Sequence, residues 1–288
     1  MALNLYLRKF IDVGGVNTGY IEMGSGEEMI LLHGGGAGCS ADEWTLMLEP
    51  LSKSFHVYSL DQIGFGETDK PALDYSLLKR ADHVAKFMDA VGIESGHIVG
   101  HSQGGYVATS LTLDRPSKVK SLVIADSGST APLGSLDEYG EIVSALRQHF
   151  TDSEWKGSEK ERVKDLMKMV VHRKELVTDN FFLVEAWLKH SSYQEVEKQI
   201  QGLADASVWN TDRGFNNPLT SRLGEIRVPS LIVWGRQDEG SPLVRGLKLI
   251  ELIPGAQMHI FDQCNHCVYV DQPEEFSKLL IAFCGDLK

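Results

Sequence analysis

Gly100-His101-Ser102-Gln103-Gly104 matches the pattern Gly-x-Ser-x-Gly, and its flanks give the match meaning. His97-Ile98-Val99 before it has strand character, and Gly105 to Leu111 after it reads as a helix ending near Pro116. A serine between a strand and a helix occupies a turn so tight that the residues two before and two after it have to be small. The turn lifts the hydroxyl out of the sheet, beside a helix N-terminus that favours negative charge. Glycine and serine are common, so the pentapeptide alone could equally be an ordinary glycine-rich turn, and the rest of the chain has to decide.

Outward from this stretch, short apolar runs alternate with helical ones. Met29–Leu32, His56–Leu60, Ile98–Val99, Leu122–Ala125, Leu231–Trp234 and Met258–Phe261 predict strands of a buried sheet. Phe10–Val13 and Thr18–Met23, joined through Gly14-Gly15, predict a hairpin. From Leu77 to Val91, residues Leu78, Ala81, Val84, Ala85, Met88 and Val91 fall at helical spacing, and Leu243–Ile253 and Pro273–Cys284 behave similarly. The alternation predicts an α/β fold, a mostly parallel sheet of about eight strands with helices on both faces. Between residues 131 and 223 the strand signal lapses, and Phe150, Trp155, Leu166, Met167, Met169, Phe181, Phe182, Leu183, Trp187 and Trp209 stand among charged residues. A helical lid over 131–223 is expected there, inserted into a core of residues 1–130 and 224–288. Its apolar residues would pack a small core of their own or line a substrate cavity.

Composition narrows the partners. A formal net charge of −12 over 288 residues lacks the basic footprint that nucleic acid or an anionic membrane surface requires. No run approaches the roughly 20 apolar residues of a membrane span, and Met1 to Lys9 does not read as an export signal. The expectation is a cytoplasmic protein acting on a small molecule, with Cys39, Cys264, Cys267 and Cys284 as reduced thiols. Whether it assembles as a homo-oligomer stays open. Cys264 and Cys267 have a metal-ligand spacing but lack a second pair, so neither a metal nor another cofactor is expected.

A serine hydroxyl needs a base, and the oxyanion it generates needs donors. His33-Gly34-Gly35-Gly36-Ala37-Gly38 follows a buried strand and can turn backbone N–H groups toward a ligand. The oxyanion hole is therefore assigned to Gly35 and Gly36 with the N–H of Gln103, the residue after the serine. A phosphate loop is the rival, but no Gly-Lys-Ser/Thr follows the glycines. The base is expected at His266, in the loop after the last strand. The acid that orients it is expected at Asp238, with Asp126 at the end of the preceding strand as the alternative. Ser102, Asp238 and His266 then follow in the order serine, acid, histidine.

These residues, with Asp61-Gln62-Ile63-Gly64-Phe65-Gly66, resemble the α/β-hydrolase fold family over nearly the whole chain. The resemblance implies a Ser-His-Asp serine hydrolase needing no cofactor, with a helical lid after the sixth strand. Gly14-Gly15-Val16, Glu22-Met23-Gly24, the His33 glycine run and Gly246-Leu247-Lys248-Leu249 look most like the meta-cleavage-product hydrolases, which split a C–C bond in dienoic acids. The chain departs from that subfamily at positions that handle substrate. His101 stands where an asparagine usually precedes the serine, Cys267 where a tryptophan follows the histidine, and Trp44 near a further expected asparagine. Glu185 stands where the lid usually supplies an arginine, and a carboxylate there would repel an anionic dienoate. Together with Trp187, these are the candidate pocket residues. The departures point to an ester or lactone of a small, fairly apolar substrate, with C–C hydrolysis of dienoic acids as the alternative. A non-hydrolytic ligand-binding, lyase or oxygenase member of the fold is the reading from another class.

Overall fold

A computed structural model describes residues 6–36, 38–71, 76–131, 156–190 and 219–287. Phe150, Trp155, Trp209 and Ala37 lie outside the described residues. Eight strands form one sheet: β1 Lys9–Asp12, β2 Asn17–Gly24, β3 Glu27–Leu32, β4 Phe55–Leu60, β5 Gly96–His101, β6 Val119–Ala125, β7 Ser230–Gly235 and β8 Gln257–Phe261. Their spatial order is β1-β2-β4-β3-β5-β6-β7-β8. The β1–β2 and β2–β4 pairs are antiparallel, and every pair from β4 to β8 is parallel. The described helices are α1 Thr45–Ser52, α2 Leu77–Ala90, α3 Gln103–Asp114, α4 Glu159–Val170, α5 Phe182–His190, α6 Leu243–Leu252, α7 Val268–Asp271 and α8 Pro273–Gly285.

The period of two along the strands divides the core into two layers. Leu31, Val99, Val123 and Leu231 stand side by side across four neighbouring strands. They face a cluster completed by Met47, Leu48 and Leu51 of α1, Phe276 and Leu280 of α8, and Leu166, Phe182 and Trp187 of α4 and α5. Their neighbours Leu32, Ile124 and Ile232 point to the other layer, which α2, α3 and Leu249 of α6 complete. Helix α2 buries Ala81, Val84, Ala85 and Met88 of the expected stripe, together with Leu77, Arg80 and Phe87, while Leu78 is 48% exposed. The residues nearest the sheet follow a spacing of three and four from Leu77, and that spacing carries Arg80 inward.

All five parallel connections cross over, so the carboxyl ends of β3 to β8 form one rim. Every candidate site residue named above except Trp44, Glu185 and Trp187 follows one of these ends within a few residues or, as with His101, closes the strand. Between β6 and β7 the described chain includes α4, α5 and a turn over Thr220–Glu225. Helices α4 and α5 pack on the first layer, while Leu219 and Leu223 are buried in the second with α3. No helix among the described residues is long and apolar enough to cross a membrane.

Candidate active site

Ser102 leaves β5 with φ 51° and ψ −120°, a conformation rare for any residue with a side chain. Its surroundings hold it there. Ser102 N donates to Ala125 O at 2.9 Å, and Ser102 O accepts from Gly105 N at 3.0 Å. Two hydroxyls, those of Ser127 and Ser129, also donate to Ser102 O. A Cβ at Gly100 would collide with the Gly104 carbonyl, and one at Gly104 with the Leu32 carbonyl, which is why both positions are glycine. The turn expected from the pentapeptide is therefore present, and it opens α3 directly.

His266 and Asp238 meet across two loops. His266 Nδ1–H donates to Asp238 Oδ2 at 2.8 Å, while Asp238 Oδ1 accepts from Ser241 N at 2.7 Å. Asn265 joins the two loops, since its Oδ1 accepts from both Glu239 N and His266 N. Asp271 caps the same loop by accepting from Asn265 N and from His172 N of the α4–α5 connection. Asp126, the alternative acid, points elsewhere: its Oδ1 accepts from Gly235 N at 2.7 Å. Its Oδ2 is buried and finds no hydrogen-bond partner among the described residues. Burial, reinforced by the charge of Asp238, holds the Asp126 carboxyl well above the usual carboxylate range.

The glycine run lies against this serine. A Cβ at Gly34 would stand 3.3 Å from Ser102 Cβ, and one at Gly35 would overlap the Gln103 side chain. So Gly35 and Gln103, two of the three expected oxyanion donors, are neighbours in space. His33 Nδ1–H donates to Gly34 O at 2.8 Å, and its Nε2 accepts from Gln62 N at 3.1 Å. Burial lowers the His33 pKa to about 4, which keeps this ring neutral. Ser102, Gln103, Gly35, Gly36 and His266 are all partly open to solvent, while Leu32, His33, His101, Gly104, Asn265 and Cys267 around them are buried.

The pocket candidates separate into two groups. His101 belongs to the site's frame. Its Nε2–H donates to the backbone carbonyl of His266 at 2.8 Å, its Nδ1 lies 3.2 Å from Glu43 Oε2, and the His101 and His266 rings are 4.8 Å apart. Trp44 is fully buried against Tyr269, with ring centroids 5.4 Å apart. Cys267 accepts from Tyr269 Oη at 3.5 Å. Trp187 fills the space that a Cβ at Gly36 or Gly38 would need. Glu185 differs from all of these. It lies two residues before Trp187 on α5, roughly 200° around the helix, and so faces away from the glycine run.

Sequence reasoning passed over Glu43 and Arg80. Glu43 is buried, and its Oε2 accepts from Gly34 N at 3.0 Å as well as facing His101. Burial pushes its carboxyl up, but the hydrogen bond and charge of His101 and the charge of His33 outweigh it and hold the pKa at about 2. Arg80 reaches the site from α2, and its position in register with Leu77, Ala81 and Val84 was the available signal. All four cysteines are buried and free. Among the described residues no group of three or more histidine, cysteine, aspartate or glutamate side chains is placed to hold a metal ion.

The α/β hydrolase fold family matches residues 28–273. This chain belongs to the α/β hydrolase fold family. It is a serine hydrolase of that fold. A 2-hydroxy-6-oxononadienedioate/2-hydroxy-6-oxononatrienedioate hydrolase of Cupriavidus pinatubonensis is 31% identical over 271 residues, 92% of this chain and 89% of the relative. Among solved structures, a point mutant of the meta-cleavage product hydrolase CumD is 30% identical, with TM-score 0.80 over 98% of this chain and 100% of that one; CumD comes from Pseudomonas fluorescens IP01. Est816, described as an N-acyl homoserine lactone degrading enzyme, is 25% identical, with TM-score 0.75 over 96% of this chain and 100% of that one.

For this α/β hydrolase the environment of His266 sets a pH expectation. Burial pulls the imidazolium pKa down, but the charge and hydrogen bond of Asp238, with the charge of Glu43, outweigh it and leave a net rise above 6.5. A base has to be neutral to accept a proton, so kcat/KM should rise with pH through a midpoint above 6.5. The rise should continue past neutrality. Initial rates from pH 5 to 9, under conditions where chemistry limits, check this; a plateau reached below pH 6 contradicts it.

Proposed function

We propose that this hydrolase cleaves a C–C bond next to a ketone in a 2-hydroxy-6-oxo-dienoic acid, with Ser102 as nucleophile, His266 as base and Asp238 as the residue that orients it. The observation that carries this reading is the His266–Asp238 hydrogen bond, set beside a strained, partly exposed serine whose neighbour packs on the glycine run. Ser102 Oγ attacks the 6-carbonyl carbon, its proton passes to His266 Nε2, and the carbonyl electrons move onto oxygen. The N–H groups of Gly35, Gly36 and Gln103 face that oxygen in this reading. The C2 hydroxyl proton has first to move to C5, giving a 2-oxo group and a C5 methylene. Collapse of the adduct then breaks the C5–C6 bond, its electron pair passes through C3=C4 onto the 2-oxo oxygen, and the resulting dienolate takes the proton from His266. Water then releases the acyl group by the same steps, with His266 again as base.

The relatives named above support C–C cleavage over the ester or lactone expected from the departures. The placement of Glu185 supports it too, because the carboxylate that counted against an anionic substrate faces away from the glycine run. The ester and lactone reading keeps the support of the similarity to Est816. A substrate panel distinguishes them: 2-hydroxy-6-oxo-6-phenylhexa-2,4-dienoate, p-nitrophenyl butyrate and an N-acyl homoserine lactone, each with the wild-type enzyme and with Ser102→Ala. The dienoate should exceed the other two in kcat/KM by at least about tenfold, because a site selective for one scissile bond binds that transition state better by about 1.4 kcal/mol or more. A higher kcat/KM on the ester or the lactone overturns the C–C reading.

A further inference from the structure

Arg80 lies on α2 under the glycine run and is 1% exposed. Its Nη1 donates to Gln103 Oε1 at 2.8 Å and its Nε to Gln62 Oε1 at 3.1 Å. Its Nη2 reaches Gly34 O at 3.5 Å, and its guanidinium carbon stands 4.6 Å from the centre of the Phe65 ring. Each of these partners is neutral, and the ion pairs found among the described residues do not include Arg80. Burying a cation against neutral oxygens and an aromatic face costs stability relative to a paired or exposed one. Burial lowers its pKa only to about 10, so the charge persists at neutral pH.

The bonds made by this charge converge on the two groups that would hold the oxyanion. Gly34 O and Gly35 N belong to one peptide unit. Donors placed on that carbonyl, His33 Nδ1–H at 2.8 Å and Arg80 beyond it, polarise the unit and sharpen Gly35 N–H as a donor. The second group is Gln103, whose side chain lies over Gly35 with Arg80 on its oxygen. We propose that Arg80 is a positioning residue for the oxyanion, fixing the Gly34–Gly35 peptide and the Gln103 arm and setting a positive charge, in the field of the buried Glu43 carboxylate but without an ion pair to it, beneath the site where negative charge develops. It acts through these neighbours rather than by touching substrate. A preoriented charge of this kind favours the transition state over the neutral bound substrate, so it raises kcat more than it lowers KM. The inference rests on Ser102 being the nucleophile.

Four proteins test it: wild type, Arg80→Gln, Arg80→Lys and Gln103→Glu. Gln103→Glu keeps the arm's length but pairs the guanidinium with a carboxylate. Active sites are counted by titration with a fluorophosphonate, and kcat, KM and the inhibition constant of phenylboronic acid, which forms an anionic tetrahedral adduct, are measured per titrated site. Arg80→Gln should lower kcat about 10- to 100-fold, change KM less than about threefold, and weaken the boronate by a factor similar to the loss in kcat. Arg80→Lys should recover part of both losses, and Gln103→Glu should lose about tenfold although the arginine remains. A merely structural role would reduce the number of titrated sites and leave kcat per site unchanged; that result overturns the proposal. If Arg80→Gln does not fold, Arg80→Lys and Gln103→Glu decide by the same criteria. Wild-type enzyme that the fluorophosphonate fails to label at Ser102 overturns the underlying reading as well, whereas normal labelling with wild-type kcat in all variants overturns the role of Arg80 alone.

Discussion

Ser102→Ala should lower kcat by at least about a thousandfold while leaving the fold in place. The two halves of this expectation rest on different atoms. In the proposed mechanism turnover needs Oγ, whereas the bonds that hold the turn use the backbone: Ser102 N to Ala125 O, and Ser102 O with Gly105 N, Ser127 and Ser129. Alanine retains all of them, and its Cβ meets the same strain at φ 51°. Thermal unfolding of the variant should therefore stay within about 1 kcal/mol of wild type. Ser102→Gly should be equally inactive but more stable by about 1 kcal/mol, because glycine relieves the strain that serine carries. Paired rate and melting measurements separate the two effects. Retained turnover in either variant would place the nucleophile elsewhere.

Asp238→Asn should cost about 10³- to 10⁴-fold in kcat, and Asp126→Asn less than about tenfold. At Asp238 both oxygens accept, one from His266 Nδ1–H and one from Ser241 N–H. An asparagine has only one acceptor oxygen, so its amide N–H meets a donor on one side, and the imidazole turns to the wrong tautomer or loses its orientation. At Asp126 burial and the nearby Asp238 raise the carboxyl well above the usual range and so disfavour its charge. An asparagine there keeps an acceptor for Gly235 N and removes no charge. Steady-state kinetics on the two variants decide between the acids, and the reverse order of losses would make Asp126 the acid.

The strands were legible because burial on both faces of a parallel sheet leaves little else to read. Six lie where apolar runs predicted them and β1 and β2 where the Gly14-Gly15 hairpin did, extended by a residue or a few at most ends, since ladder hydrogen bonds continue past the last apolar side chain. Ser102, Asp238 and His266 were legible for a related reason: each follows a strand end, so a position in the chain becomes a position on one rim. Glu43 and Arg80 were not. Each does its work through residues tens of positions away, such as His101 for Glu43 and Gln103 for Arg80; helical register could place Arg80 on the buried face, but nothing local names the partner of either charge. Glu185 is a different case. Its place opposite a family arginine was readable, but its direction depends on which face α5 turns to the glycine run, and Trp187 sets that face. On α2 the stripe read from the sequence is buried at Ala81, Val84, Ala85 and Met88 and misses only at its start, where Leu77 and not Leu78 faces the core.

Trp187 gives the glycine run a second meaning. Gly35 is kept small by the Gln103 arm, and Gly36 and Gly38 by the indole of a helix from a distant part of the chain. The run is therefore under two separate constraints, the Gln103 arm at Gly35 and the helix above it at Gly36 and Gly38. A lineage that lost the reaction would still inherit the glycines for as long as the tryptophan stayed. One that exchanged the tryptophan for a smaller residue would still be held to Gly38 by the helix backbone, because a Cβ there would also stand 2.7 Å from the Trp187 Cα. Glycines at this corner are thus a record of its roof as much as of its reaction, and the two histories can be told apart only at Gly35, which the helix does not reach.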